Sequence, residues 1–223
     1  MGKKNAVELN ALREDFINGC LREGHDRELA NEIYDLIEKF ANYGFNKSHS
    51  VAYGLIAYQL SYLKANYPHL FYTELLSSVL GSDVKTRQYI DECRRRNVSL
   101  LSVNLDHSHS AYTLDGVKIR MPFTIIKGIS GTIAREIEAE RSENGSYKSF
   151  YDAVSRLNLV GVKKSHFEML IKAGAMDYFG ANRESMLASL EEAIRYANII
   201  KVEKDGRKQL NFSLISEPIF TQS

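Results

Sequence analysis

With 223 residues, 44% of them hydrophobic and 26% charged, the chain is long enough for one large or two modest domains with real cores. No apolar run reaches the roughly 18 residues of a membrane span. The start Met1-Gly2-Lys3-Lys4-Asn5 has no hydrophobic signal region and Cys20 and Cys93 are too few for a disulfide framework, so secretion is not expected and a cytoplasmic location is. The formal net charge of +1 hides an asymmetry: residues 42–135 hold 11 Lys and Arg against 6 Asp and Glu, and the remainder 18 against 22, so the middle carries a modest basic excess.

In chain order, residues 3–24 carry Val7, Leu9, Leu12, Phe16, Ile17 and Cys20 at imperfect helical spacing. Asp26 is placed to cap a second helix, in which Leu29, Ile33, Leu36, Ile37 and Phe40 repeat. Tyr43-Gly44-Phe45 reads as a turn, since Gly44 supplies a positive φ. Ser48 or Ser50 then caps a third helix that is apolar most of the way round and is therefore expected to be buried. It ends before Pro68, which suits the first turn of a fourth helix running to Gly81. Asp83 opens another, with Tyr89, Ile90 and Cys93 inward and Arg94, Arg95 and Arg96 outward.

From Val98 to Phe123 the period changes to that of strands, and Asp115-Gly116 between two alternating runs signals a hairpin. Helical spacing resumes at Thr132 and, with breaks near Gly145, Gly161 and Gly174, lasts to about Val202. From Asp205 the periodicity is lost, as in a mobile tail.

Two stretches point to phosphate. Lys47 and His49 stand at a helix start, where unpaired N–H groups and the positive dipole end favour an anion; a core histidine is the competing reading of His49. Ile126-Lys127-Gly128-Ile129-Ser130-Gly131-Thr132 has the pattern of a helix-hairpin-helix turn, in which glycine lets a phosphate backbone approach the N–H groups of the next helix without reading bases. A weaker echo is expected at Phe167 to Gly174. His107-Ser108-His109 has no further His or Cys nearby to complete a metal site.

The run Tyr43 to Ser50, followed by Ala52-Tyr53, Tyr58-Gln59, Tyr62-Leu63-Lys64 and Tyr67-Pro68, resembles the fingers motif of the alpha subunit of bacterial DNA polymerase III, a C-family replicative polymerase. The similarity continues through Ile90 to Arg94, Ile126 to Ile129 and Leu170 to Ala175, and covers almost the whole chain. It implies a mostly α fold in four parts: a multi-helix fingers segment (1–104), a small β-hairpin connector (105–122), a helix-hairpin-helix DNA-binding domain (123–202) and a flexible tail (203–223). The hairpin departs from the family form in having Ser130 where a second glycine is common, with Gly131 one place later.

The resemblance further implies that Asn46, Lys47, Ser48 and His49 contact an incoming deoxynucleoside triphosphate or the template, and that Lys127, Gly128, Ile129, Ser130, Gly131 and Thr132 hold duplex phosphates. In the tail, Gln209, Leu210, Phe212 and Leu214 resemble the short peptide by which bacterial polymerases bind the sliding clamp. Other replisome subunits are implied partners.

Nucleotidyl transfer needs carboxylates that hold divalent metal ions, and no convincing Asp-x-Asp pair occurs here; Asp83, Asp91 and Glu92 sit in a helical, Arg-rich context. In the resembled family those carboxylates, the ligands of Mg2+, belong to the palm. No catalytic or metal-binding residue is therefore assigned to this chain, which is expected to be inactive alone and to act within the full-length polymerase. The alternative is a stand-alone DNA-binding and clamp-tethering module without catalysis.

Overall fold

A computed structural model describes residues 6–43, 46–204 and 207–220. The expected turn at Gly44 and Phe45 lies outside these residues, as do Met1 to Asn5, Asp205 and the side chains of Val7, Leu9 and Phe40. The fold is mostly α, with nine α-helices and five short strands among the described residues, and the chain divides into compact units at Ser61 and Tyr62.

In the first unit, α1 (Ala6–Arg22) and α2 (Arg27–Tyr43) form a helical hairpin. Gly24 sits between them at φ +84°, and the Asp26 carboxylate caps α2 by accepting from the N–H groups of Glu28 (3.0 Å) and Leu29 (3.2 Å), as expected. Ile17, Ala30 and Tyr34 are buried between the helices. Phe16 packs on Tyr34 with ring centroids 5.5 Å apart, and Arg13 lies over the Tyr34 ring while binding Asp35.

The third helix, α3 (Lys47–Asn66), corrects the expectation that it is buried: none of its residues is. Tyr58 is 69% exposed and Val51 64%, with Tyr53, Leu55 and Ile56 at half or more. Apolar side chains right round a helix require packing partners on every side, and the described residues do not supply them.

In the second unit, α4 (Pro68–Ser78) carries Pro68 in its first turn and α5 (Asp83–Arg95) follows. Both pack on a three-stranded sheet made of β1 (Leu100–Leu101), β2 (Thr113–Asp115) and β3 (Lys118–Arg120), in the order β1-β3-β2, with β1 parallel and β2 antiparallel to β3. Asp115 pairs with Lys118, so the two loop residues are Gly116 and Val117, one place later than Asp115-Gly116 predicted. The Asp115 carboxylate is held in the ladder because it accepts from Arg120 Nη2 at 2.6 Å. Tyr72, Leu76, Cys93, Val98, Tyr112 and Ile119 form the small core here, and burial pushes the Cys93 thiol up to about 11. At its edge Lys64 Nζ binds Glu92 Oε1 at 2.7 Å and lies over the rings of Phe71 and Tyr72, and Arg96 reaches Glu92 at 3.3 Å.

The larger core lies under α6 (Gly131–Asn144), α7 (Phe150–Leu159), α8 (Lys164–Lys172) and α9 (Arg183–Ile199). Within it Arg156 is buried, and all five of its guanidinium N–H groups are used. They donate to Glu140 (2.7 and 2.9 Å), Asp152 (3.2 Å) and the carbonyls of Gly145 (2.7 Å) and Ser146 (3.1 Å), while the guanidinium carbon lies 4.3 Å from the Tyr147 ring centroid.

For residues 207–220 the expected mobile tail is replaced by ordered structure. β4 (Lys201–Lys204) and β5 (Arg207–Leu210) pair antiparallel, and Leu210 and Phe220 pack against the larger core. Alternation over only four residues is too short to announce a strand, and the docking of Phe220 depends on distant rings.

Arg156→Ala would strand the Glu140 carboxylate, so urea unfolding should show a loss of about 3–5 kcal/mol, whereas Arg156→Met with Glu140→Leu should lose much less. The Lys64 ammonium holds the Glu92 carboxyl below its usual range. A lowered carboxyl stabilises the fold above its ordinary pKa and ceases to as pH falls through the lowered value. The stability gap between the parent and Glu92→Gln should therefore be widest near neutrality and close on acidification; a gap independent of pH would refute the linkage.

Candidate nucleic-acid interface

At the start of α3 the capping residue is Asn46, not Ser48 or Ser50 as expected. Its Oδ1 accepts from the N–H groups of Ser48 (2.9 Å) and His49 (3.4 Å), and its carbonyl accepts from Ser50. An amide side chain one place before the helix reaches those donors directly, while Ser48 and Ser50 already lie inside the first turn. Asn46, Lys47, Ser48 and His49 are all exposed among the described residues. The His49 imidazole stacks on Tyr53 one turn along, with ring centroids 4.2 Å apart. Lys47 and His49 thus stand on an exposed first turn, at the positive dipole end.

The second place is the hairpin before α6. A single 3-10 turn (Phe123–Ile125) stands where a first helix was expected. Ile126 and Ile129 are buried and joined by a bond from Ile129 N–H to the Ile126 carbonyl (3.0 Å). Between them Gly128 adopts φ +97°, which a side chain would strain, leaving Lys127 and Gly128 exposed. Ser130 caps α6 by accepting from Ile133 N–H at 3.3 Å, so its side chain does the local work of a cap where the family form has glycine. Arg135 lies against this turn: a Cβ added at Gly131 would meet its Nη1 at 3.4 Å, and its Nη2 is 3.5 Å from Thr132 Oγ1.

A second positive-φ glycine turn lies between α7 and α8. Gly161 has φ +97°, Val162 after it is buried, and α8 begins three residues beyond Gly161 just as α6 begins three beyond Gly128. Here the cap is different: the Lys163 N–H donates to His166 Nδ1 at 3.1 Å, and Lys164 binds Glu191 on α9. Sequence reasoning placed the second hairpin at Phe167 to Gly174 instead. Those residues are the body and end of α8, where Gly174 adopts φ +80°, a conformation that a side chain would strain, beside the Arg183 guanidinium bound to Asp177 at 2.6 Å. The signal that was missed is the apolar-x-Gly-apolar order, shared by Ile126 to Ile129 and Leu159 to Val162. Gly128 also approaches α8, since its added Cβ would lie 3.6 Å from Met169 Cγ.

Asp91 binds Arg94 at 3.0 Å and Glu92 is shared by Lys64 and Arg96, so their charges are answered within the fold. His109 Nδ1 lies 3.0 Å from Glu138 Oε2, and Ser108 is buried, donating to the Met121 carbonyl; the His107-Ser108-His109 loop is a structural brace. Among the described residues no group of three or more His, Cys, Asp or Glu is arranged to hold a metal, and no helix is long and apolar enough to cross a membrane.

Gln209, Leu210, Phe212 and Leu214 fall in β5 and the turn after it. Leu210 faces the core, while Gln209, Phe212 and Leu214 are exposed.

Comparison with known proteins bears on these three places together. A family model described as "Helix-hairpin-helix motif" matches residues 97–186, which include both glycine turns. The chain is 39% identical over 194 residues to DNA polymerase III subunit alpha of Staphylococcus epidermidis, a match covering 87% of this chain and 18% of that protein. It is 36% identical over 206 residues to the same subunit of Staphylococcus aureus, covering 92% of this chain and 19% of that one. The chain thus spans about a fifth of the length of the relatives it matches.

Proposed function

We propose, from the premise that this chain is homologous to a segment of DNA polymerase III subunit alpha, that it supplies the fingers and duplex-holding part of a replicative DNA polymerase. The observation that carries the reading is the pair of glycine turns, Gly128 and Gly161, both at φ +97°, each followed by a helix start three residues on and lying within one helix-hairpin-helix match. Two such starts offer backbone N–H groups to successive phosphates while touching no base edge. In the first turn the donors would come from Lys127, Gly128, Ser130, Gly131 and Thr132, and in the second from Lys164 and Ser165, because the N–H groups of Ile129, Gly161, Val162 and Lys163 are bonded within the fold. The 3-10 turn before Gly128 shortens the first helix but leaves the N–H groups of α6 where phosphate would meet them.

At the other site, Lys47 and His49 on the exposed first turn of α3 suit the anionic tail of a deoxynucleoside triphosphate or the strand that templates it. Asn46 already occupies the N–H groups of Ser48 and His49, so the contact would be made by side chains more than by the helix backbone. On this reading the chemical step lies outside this chain, since Asp91 and Glu92 are already paired with Arg94, Lys64 and Arg96. The divalent metal ions that such a polymerase uses would activate the primer hydroxyl from carboxylates elsewhere in the full-length subunit. Gln209, Leu210, Phe212 and Leu214 would bind the sliding clamp and so keep the polymerase on its template.

By fluorescence anisotropy the chain should bind two unrelated duplexes with equal affinity, and the affinity should fall with log salt as expected for a few phosphate contacts. Gly128→Val and Gly161→Val should weaken both duplexes alike; unchanged binding by variants that remain folded would make the turns structural only. In the full-length polymerase, Lys47→Ala and His49→Ala should each lose about 1.5–3 kcal/mol of transition-state stabilisation with little change in melting temperature. Normal kinetics in both variants would remove the nucleotide role.

A further inference from the structure

The stretch from Gln209 to Leu214 is tied down at both ends. Upstream, Gln209 pairs with Val202 across the β4–β5 ladder, Leu210 packs on the larger core, and the Asn211 N–H donates to the Ile200 carbonyl at 2.7 Å. Downstream, the Tyr151 hydroxyl donates to the Ile219 carbonyl at 3.3 Å, the Ser149 hydroxyl donates to the Glu217 carboxylate, and the Phe220 ring packs on Phe150 and Tyr151 with centroids 5.4 and 5.7 Å away. Ser149 is also the residue that caps α7, so the downstream tie is made to a rigid helix start.

Between these ties the backbone is folded back. Asn211 Oδ1 accepts from Ser213 N–H at 3.1 Å and its carbonyl accepts from Leu214 N–H at 3.3 Å. Phe212, Leu214 and Ile215 are left about half exposed, at 46%, 54% and 47%. A peptide that enters a groove in extended form sets alternate side chains along one line at the rise of a strand. The turn at Asn211 breaks that line between Leu210 and Phe212, and neither end has slack with which to straighten it.

We propose that residues 211–220 are an autoinhibitory strap, which stores the clamp-binding peptide in a folded-back form and releases it when Phe220 and the end of β5 leave the core. The inference rests on the reading of Gln209 to Leu214 as a clamp-binding peptide. The clamp groove competes with Phe150, Tyr151 and Ile200 for the same segment, so its apparent affinity is set by the fraction of chains in which the strap is off.

The test measures affinity for a purified bacterial sliding clamp, comparing the synthetic peptide of residues 207–216, the intact chain, and the variants Tyr151→Phe and Phe220→Ala. Each variant is first checked for an unchanged circular dichroism spectrum. The peptide should bind at least about tenfold more tightly than the intact chain, which corresponds to a released fraction of about one in ten or less. Both variants should close part of that difference, Phe220→Ala more than Tyr151→Phe. Equal affinity of peptide and chain would overturn the strap while leaving the clamp-binding reading standing. A difference that neither variant narrows would overturn the assignment of the hold to these contacts. A peptide that does not bind the clamp overturns the clamp-binding reading itself, and the strap falls with it.

Discussion

Everything in the larger core is arranged around one buried cation. Arg156 comes from α7, Glu140 from α6, and Gly145 and Ser146 from the connection between those helices, so a single guanidinium joins two helices to the loop that links them. A charge removed from water is tolerated only when its hydrogen bonds are met, and here each N–H has an acceptor and the ring of Tyr147 covers the guanidinium. Gly145, at φ +77°, lets the chain leave α6 sharply enough for its own carbonyl to face that cation. Both glycine turns depend on this frame, because α6 follows the first and α7 precedes the second.

The two turns share a glycine φ and the spacing to the next helix, and differ in local chemistry. Ser130 caps by accepting from Ile133 N–H in the usual manner, whereas Lys163 has no oxygen to offer and its own N–H is taken up by the His166 ring. Buried apolar residues hold both turns from beneath: Ile126 and Ile129 in the first, Leu157 and Val162 in the second. Anchoring by apolar residues leaves the exposed polar positions free to differ, and they do: Ser130-Gly131-Thr132 in one, Lys163-Lys164-Ser165 in the other.

What the sequence made legible was local, and what it hid was tertiary. Asp26, Pro68 and Asp83 announce helix starts because capping and proline stereochemistry act within one turn. The apolar-Gly-apolar order at Gly128 is equally local. The exposure of α3 was not legible, since burial depends on what packs against a helix and not on the helix itself. Gly174 and Gly161 look alike as letters; the guanidinium of Arg183 beside one and open space beside the other separate their roles. Asn46 was passed over as a cap for the adjacent serines, although it stands one place ahead of the helix where a cap belongs. The ladder at β4–β5 was hidden by its brevity and by dependence on Phe220, which finds Phe150 and Tyr151 some seventy residues earlier in the chain.

Met121 has a consequence for how the second unit comes apart. Its side chain packs against both hydrophobic clusters, its N–H donates to the Leu101 carbonyl at 3.0 Å, and its carbonyl accepts from Ser108. The small sheet and the helical core therefore share a residue that neither can lose alone. Opening one exposes a wall of the other, so the two should exchange amide hydrogens with deuterium as a single cooperative block rather than as two. A strand three residues long would ordinarily fray on its own, and in this protein β3 inherits the protection of the helical core to which Met121 joins it.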